Sequence, residues 1–248
     1  MFKKVLIIVT LLIFIFYNIL ISQNTTNNCK INISGGLNYS KGNVNKRDYS
    51  FSGEIFHKDT LFEYTTNSRF LYSFVDTLLK NKEFTFNQTL DWKPYHRLSP
   101  FWALTIYSNQ FKGYKIKGGG YIGAKFTFLR TKSTNLSLSA AFIYEHETYS
   151  IGSNGEKKPD MDIGRLSTRI KYIQKIGEFT NLSFIAFYKP QINNFDNYLI
   201  ETRAKMSFDL NKKLSIDLQY EWNYNNKPPY DKISKTDELF LASLTIKI

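Results

Sequence analysis

The feature that most constrains this chain is a one-residue alternation of apolar and polar side chains, repeated in segments of about ten residues. In the clearest segment, Leu214 to Tyr224, apolar or aromatic residues fill every even-numbered position and polar residues fill every odd one. Successive side chains of a β-strand point to opposite faces, so this segment predicts a strand with one apolar and one polar face. In a soluble sandwich the apolar face would meet a second sheet, whereas in a transmembrane barrel it would meet lipid.

The same alternation recurs in segments at residues 62–72, 84–92, 136–144, 198–208 and 240–248. Turn-forming residues separate the segments, and short breaks alternate with mostly longer ones at 73–81, 148–162, 190–195 and 225–236. This spacing is typical of a barrel with short periplasmic turns and longer extracellular loops. The pattern therefore predicts one all-β, antiparallel up-and-down transmembrane β-barrel of about twelve strands, with both chain ends in the periplasm.

Composition separates this barrel from a helical membrane protein. The mean hydropathy is −0.33, and no apolar run after Ile21 approaches the roughly 18 residues of a spanning helix. The chain is nevertheless rich in Phe (21) and Tyr (17), residues that favour a pleated, half-buried surface. A chain that is polar on average but aromatic-rich fits strands that alternate lipid-facing and lumen-facing side chains.

The N-terminus carries a targeting segment. Lys3 and Lys4 precede a largely apolar run from Val5 to Ile21, which predicts a secretory signal peptide over residues 1–22 and a barrel over residues 23–248. An uncleaved membrane anchor is the alternative. Cys29 is the only cysteine and does not follow the small apolar residues of a lipoprotein signal, so we interpret it as a bystander.

The chain is basic, with 33 Lys and Arg against 21 Asp and Glu. Without residues 1–22 the net charge is +10. These residues form no patch and the chain is exported, so nucleic acid is not an expected partner. The excess charge fits solvated loops and lumen walls; the alternative is attraction to anionic headgroups or anionic solutes.

The polar faces of the strands carry charges of both signs that would project into the lumen. The candidate lumen-lining residues are Glu63, Arg69, Glu83, Asp91, Lys125, Glu145, Arg165, Arg169, Glu201, Arg203, Asp217 and Glu221. Charges facing a confined interior must be paired or hydrated. They therefore predict either a network that fills the lumen or a narrow, weakly selective channel, because a barrel of this size is narrower than a porin of 16–18 strands.

Motifs for catalysis or cofactor binding are weak. Gly118, Gly120 and Gly123 match a dinucleotide fingerprint in spacing, but the following residues alternate like a strand where the fingerprint needs a helix. Ser153-Asn154-Gly155 follows His146 by seven residues, a spacing that gives no reason to expect a nucleophile and its base in contact. No two histidines lie at metal-ligand spacing. We predict no enzyme, no cofactor and no metal site.

Three stretches resemble one known family. They are Leu37 to Asn45, which resembles a GN-x-N opening hairpin, the glycine-rich Gly118 to Gly123, and the ending from Tyr220 through Pro228-Pro229 to the last strand. Together they resemble the salt-induced outer membrane protein family over most of residues 33–248. That resemblance implies an outer-membrane barrel in contact with lipid, inserted by the outer-membrane assembly machinery, with no established activity. The terminal Ile248 departs from the aromatic residue that commonly ends such barrels.

These observations leave three functional hypotheses. The first is a non-enzymatic envelope barrel, either structural or a narrow conduit for small solutes. The second is a lipid-acting barrel enzyme, which would need a catalytic pair at one rim. The third is a surface receptor that uses the longer loops 148–162 and 225–236, which contain few aromatic residues of the kind that dominate binding surfaces.

Overall fold

The computed structural model describes residues 29–40, 46–151, 155–156 and 158–248. Twelve strands occupy most of these residues, and they are β1 (Cys29–Ser40), β2 (Lys46–Lys58), β3 (Phe62–Val75), β4 (Leu78–Trp92), β5 (Leu98–Asn109), β6 (Tyr114–Arg130), β7 (Thr134–Tyr149), β8 (Met161–Ile176), β9 (Thr180–Gln191), β10 (Asn194–Asp209), β11 (Leu214–Asn225) and β12 (Thr236–Lys247). A short 3₁₀ helix, Gln110–Lys112, lies between β5 and β6. The predicted barrel of twelve antiparallel strands is confirmed, whereas the predicted signal peptide, residues 1–22, lies outside the described residues.

The sheet closes on itself because β1 pairs with β12 as well as with β2. At the seam the Ile31 N–H donates to the Ile248 carbonyl at 3.0 Å, and the Ile248 N–H donates back at 2.8 Å. A closed sheet leaves no edge strand, so every strand has hydrogen-bonding neighbours on both sides, as a sheet in lipid requires.

No helix in the described ranges is long and apolar enough to cross a membrane.

The two faces of the barrel have inverted polarity relative to a soluble protein. On β7, Phe142 and Tyr144 point outward and are 45% and 55% exposed, while Glu145 points inward and is 1% exposed. Buried residues therefore include many charged and hydroxyl side chains, and exposed ones include many large apolar side chains. The outer surface is suited to hydrocarbon and the inner surface to water and ion pairs.

The two ends of the barrel differ in their connections. At the end that holds Cys29 and Ile248, called the terminal end, the connections are three to five residues long. At the opposite end, called the loop end, the connections at 150–160 and 226–235 are the longest.

The longer breaks predicted at 73–81 and 190–195 are wrong, because β3–β4 and β9–β10 close in two-residue turns. Bulges near Ser73 and Asn194 shift the register and break the alternation that would have revealed the strand ends.

A side chain defines one of the terminal-end turns. Asp59, between β2 and β3, accepts hydrogen bonds from the backbone N–H of Leu61 at 2.7 Å and of Phe62 at 2.6 Å. Burial acts to raise the pKa of the Asp59 carboxyl, but these bonds, together with His57, hold the pKa below its ordinary value. The stabilisation is therefore present above the ordinary carboxyl pKa and is lost as the pH falls through the lowered value.

The glycines of the fingerprint-like motif have a packing role. A Cβ at Gly123 would lie 2.2 Å from the Ala140 carbonyl oxygen and 2.6 Å from the Ala141 Cβ. A Cβ at Gly120, on the outer face of the same strand, would meet nothing within 4 Å. Gly123 therefore lets β7 backbone approach β6 closely, as expected for a glycine within a strand.

Gly123→Ala is expected to destabilise the barrel by roughly 2–3 kcal/mol, because the added methyl group overlaps backbone atoms that cannot move independently. Urea unfolding of the barrel in lipid vesicles measures this change. Gly120→Ala is the matched control on the same strand and should unfold within error of the wild type. Equal stability of both variants would contradict the packing role of Gly123.

Candidate functional site in the barrel lumen

All twelve candidate lumen-lining residues face the interior of the barrel. Strand register places them there, since residues paired across an antiparallel sheet share a face, as with Glu63 and Asp91 or Arg203 and Glu221. Their role in passage of a solute stays a prediction. The sequence pattern did not reveal several further interior cations, among them Lys117 and Lys189, which the register also places inward. Lys117 precedes a glycine run with little alternation, and Lys189 borders a predicted break, so the pattern gave no signal for either.

One group of ion pairs crosses the lumen. The Arg69 guanidinium on β3 contacts Glu221 on β11 through Nη1–Oε1 at 2.5 Å and Nη2–Oε2 at 3.1 Å. Arg69 Nη2 also donates to Glu83 at 2.9 Å, and Arg203 Nε donates to Glu221 at 2.9 Å. Since β3 and β11 are four strands apart around the ring, this bidentate pair joins separate parts of the wall across the lumen and obstructs the interior.

A second group lies on β6, β7 and β8. The Arg165 Nε donates to Glu145 at 3.0 Å, and the Lys117 ammonium lies 3.2 Å from Glu145 and 3.0 Å from Glu147. Tyr149 donates its hydroxyl proton to Glu147 at 2.6 Å. Each carboxylate therefore has cationic or hydroxyl partners, and this side of the interior is filled.

Two smaller ion pairs lie on β9–β11. Lys189 binds Glu201 at 2.7 Å, and Lys205 binds Asp217 at 2.8 Å. Asp217 also accepts a hydrogen bond from Thr245 at 2.7 Å. These contacts show that mutual pairing, one of the two predicted arrangements, accounts for much of the lumen charge.

A third group near the terminal end is incompletely paired. Lys58 contacts Glu63, and Lys125 contacts Asp91. Among the described residues, Arg169 on β8 makes one side-chain hydrogen bond, from Nη2 to the Ser139 hydroxyl at 3.0 Å, and its buried Nε has no acceptor. The Arg169 guanidinium in this group is therefore not in contact with a described carboxylate.

Interior charge is also distributed unevenly around the ring. The basic residues that face inward from β8–β10 are Arg165, Arg169, Lys171, Lys175, Lys189, Arg203 and Lys205, and the acidic ones are Glu201 and Asp209. The inward basic residues of β2–β5 are Lys46, Lys58 and Arg69, and the acidic ones are Asp48, Glu54, Glu63, Glu83 and Asp91. A basic wall thus faces a mainly acidic wall, which produces an electric field across the lumen.

Part of the lumen is not filled by side chains. The side chains of Glu201, Arg203 and Lys205 point inward from β10 yet are 39%, 47% and 36% exposed. Arg165 and Glu145, which also point inward, are 3% and 1% exposed. Unfilled space therefore runs beside β10, whereas the interior around Arg165 and Glu145 on β7 and β8 is closely packed.

The connection 226–235, called the mouth loop, crosses the loop end of the barrel. It joins β11 and β12, yet it packs against Gly113, just before β6, which is six strands from β12 in either direction. The Tyr230 hydroxyl donates to the Ser150 carbonyl and accepts from the Lys158 N–H at 3.4 Å. Lys112 and Asp237 form an ion pair at 3.2 Å beneath it. The mouth loop therefore narrows the opening at this end.

The rim holds no assembled catalytic group in the described residues. His146 and Asp162 lie on the outer face of β7 and β8, with Nδ1 and Oδ1 2.8 Å apart. No described serine, threonine or cysteine hydrogen-bonds this histidine, and Ser153 lies outside the described residues. No group of three His, Cys, Asp or Glu side chains in the described ranges could hold a metal ion.

A closed antiparallel barrel with an apolar outer face and a charged interior is a barrel of the outer-membrane type. Its sequence matches the family described as "Protein of unknown function, DUF481" over residues 33–248, and the chain belongs to that family. No curated protein matches the chain in sequence.

Comparison of structures identifies other barrels with similar folds. The chain is similar to a NanC porin, with a TM-score of 0.51 and 10% identity over 88% of this chain and 97% of that one. It is also similar to the translocator domain of the autotransporter NalP from Neisseria meningitidis, with a TM-score of 0.49 and 9% identity over 91% of this chain and 89% of that one. A KdgM porin gives a TM-score of 0.43 and 11% identity over 88% and 98% of the two chains. At such low identity the likeness to the NanC porin shows a shared fold and nothing further.

Proposed function

We propose that this protein is a non-enzymatic barrel of the outer membrane that acts as a narrow conduit for small solutes. The observation that carries the proposal is the unfilled space beside β10, where Glu201, Arg203 and Lys205 line the interior and remain 36–47% exposed. A purely structural barrel would be expected to pack this wall as closely as β7 and β8, where Glu145 is 1% exposed.

The proposal includes an upper size limit on the solute. Arg69 and Glu221 cross the interior, and the mouth loop covers part of one opening. The ion pair narrows the lumen and the mouth loop narrows its opening, in a barrel that is already smaller than a wide porin. They favour solutes of the size of an amino acid or a monosaccharide over oligosaccharides.

The same proposal covers location and assembly. The outer surface fits lipid, and the predicted signal peptide over residues 1–22 would direct a mature barrel of residues 23–248 to the envelope. Insertion by the outer-membrane assembly machinery, and the finer assignment to the salt-induced outer membrane protein group, rest on the sequence resemblance and remain predictions. A receptor role gains little support, because Tyr149 is buried in the lumen and Tyr230 holds the mouth loop.

Liposome swelling tests the proposal. Vesicles that contain the folded barrel are expected to swell rapidly in isotonic glycine or arabinose and slowly in the trisaccharide raffinose. A heat-modifiable gel shift verifies folding, and vesicles with heat-denatured protein provide the background. Swelling at the background rate in every solute would reject the conduit, and equal rates for all solutes would reject its narrowness.

A further inference from the structure

We propose that Arg169 and Lys171 form a binding site in the lumen for the oxyanion group of a small acidic solute. The proposal rests on the proposed function in one respect, that solution reaches this part of the interior. The two residues, called the basic pair, lie two positions apart on β8 and therefore face the same side, which the register identifies as the inside.

Neither member of the basic pair is neutralised by a contact with a carboxylate. In the described part of the chain Arg169 has no ion pair within 4 Å, and Lys171 has neither an ion pair nor a hydrogen bond. Glu63 and Asp91 are near enough to act on them electrostatically, but Lys58 and Lys125 contact these carboxylates. The residues of this group are Lys58, Glu63, Asp91, Lys125, Arg169 and Lys171, with a net charge of +2.

Aromatic rings hold the Arg169 guanidinium in place without satisfying its donors. Its Cζ lies 5.4 Å from the centre of the Phe101 ring and 5.9 Å from that of Phe187. Such cation–π contacts fix a guanidinium but accept none of its N–H bonds in the plane. Ser139 accepts one bond, out of five that a guanidinium can donate. The side chain is therefore held with most of its hydrogen-bonding capacity unused.

This arrangement fits an oxyanion better than a spherical anion. A guanidinium presents parallel N–H groups that match two oxygens of a carboxylate or a phosphate, and the neighbouring ammonium adds a point charge. The site also borders the accessible space, because Lys171 pairs with Ile185, which pairs in turn with Arg203. A solute that moves beside β10 would therefore meet the basic pair two strands away, across β9.

Isothermal titration calorimetry on the folded barrel in zwitterionic micelles tests the site, with inorganic phosphate and acetate titrated separately at constant ionic strength in chloride. We expect saturable binding of one oxyanion per barrel. Binding of phosphate alone would identify phosphoryl groups as the ligand class, and binding of acetate alone would identify carboxylates. Absence of saturable heat with both probes would overturn the proposal.

Substitutions of the basic pair test whether the oxyanion binds there. Lys171→Gln is expected to weaken it about tenfold, the usual effect of one charged hydrogen bond, and Arg169→Gln at least as much. Lys171 makes no ion pair or hydrogen bond with the described residues, so Lys171→Gln should fold even if Arg169→Gln does not. Lys132→Gln, in an exposed turn, removes the same charge and should bind as the wild type does. Unchanged affinity in Lys171→Gln would also overturn the proposal.

The experiments can reject the oxyanion site and the conduit independently of each other. A barrel that passes glycine but shows no saturable oxyanion binding would reject the basic pair as a site and keep the conduit. A barrel that binds phosphate or acetate but passes no solute would support the site and reject the conduit.

Discussion

Arg69→Ala is expected to lower the free energy of unfolding by about 3 kcal/mol. Removal of the guanidinium leaves the negative charges of two carboxylates incompletely neutralised in a partly dehydrated interior. Arg69 contacts both Glu221 and Glu83, and its side chain is 13% exposed. Urea unfolding in lipid vesicles, followed by tryptophan fluorescence, measures the loss. The same variant should conduct more current than the wild type, since the bidentate bridge no longer crosses the lumen.

The control for Arg69→Ala is Arg97→Ala. Arg97 is an exposed arginine in the connection between β4 and β5, so its replacement removes the same charge outside the lumen. Stability and conductance should both stay at wild-type values. If Arg69→Ala unfolds and conducts as Arg97→Ala does, the bridge to Glu221 neither stabilises the barrel nor restricts it.

Gly113→Ala is expected to displace the mouth loop. A Cβ at this position would lie 2.9 Å from Ile233 Cδ1 and 3.1 Å from both Pro229 Cβ and Tyr230 Cδ2. The mouth loop would have to move away from all three contacts, so channel openings should become longer or larger. Trypsin should also cleave at Lys232 and Lys235 several times faster, because a displaced loop is more mobile.

Gly155 provides a matched control for this substitution. Its φ of +82° nearly equals the +83° of Gly113, but a Cβ there would meet nothing within 4 Å. Both alanine variants therefore carry the backbone strain of about 1 kcal/mol that a side chain adds at positive φ, and the Gly113 variant alone meets the mouth loop. Equal cleavage and equal conductance of the two variants would show that the loop does not rest on Gly113.

Sequence reasoning predicted the barrel because its main determinant is local. The alternation from Leu214 to Tyr224 fixes which residues face lipid, and repetition of that pattern fixes the strand number. The ends of β3 and β10 were harder to predict, because bulges near Ser73 and Asn194 disrupt the two-residue period.

The candidate site was only partly predictable for a different reason. Alternation placed Arg69 and Glu221 on inner faces, but their contact joins residues 152 positions apart and depends on how the barrel closes. Pairing of Lys125 with Asp91, which leaves Arg169 without a carboxylate, depends likewise on side-chain positions across strands. The crossing of the mouth loop to Gly113 is a tertiary contact that no local pattern encodes.

Single-channel recording of the folded wild-type barrel in a planar bilayer, with a gel shift to verify folding, would show whether the lumen conducts ions. A narrow conduit should give small, steady, ohmic steps and a reversal potential in a salt gradient that indicates a mild preference for anions, reduced in Lys171→Gln. Silence from a barrel verified as folded would contradict the conduit, and would mean that the interior charges and the mouth loop close the lumen.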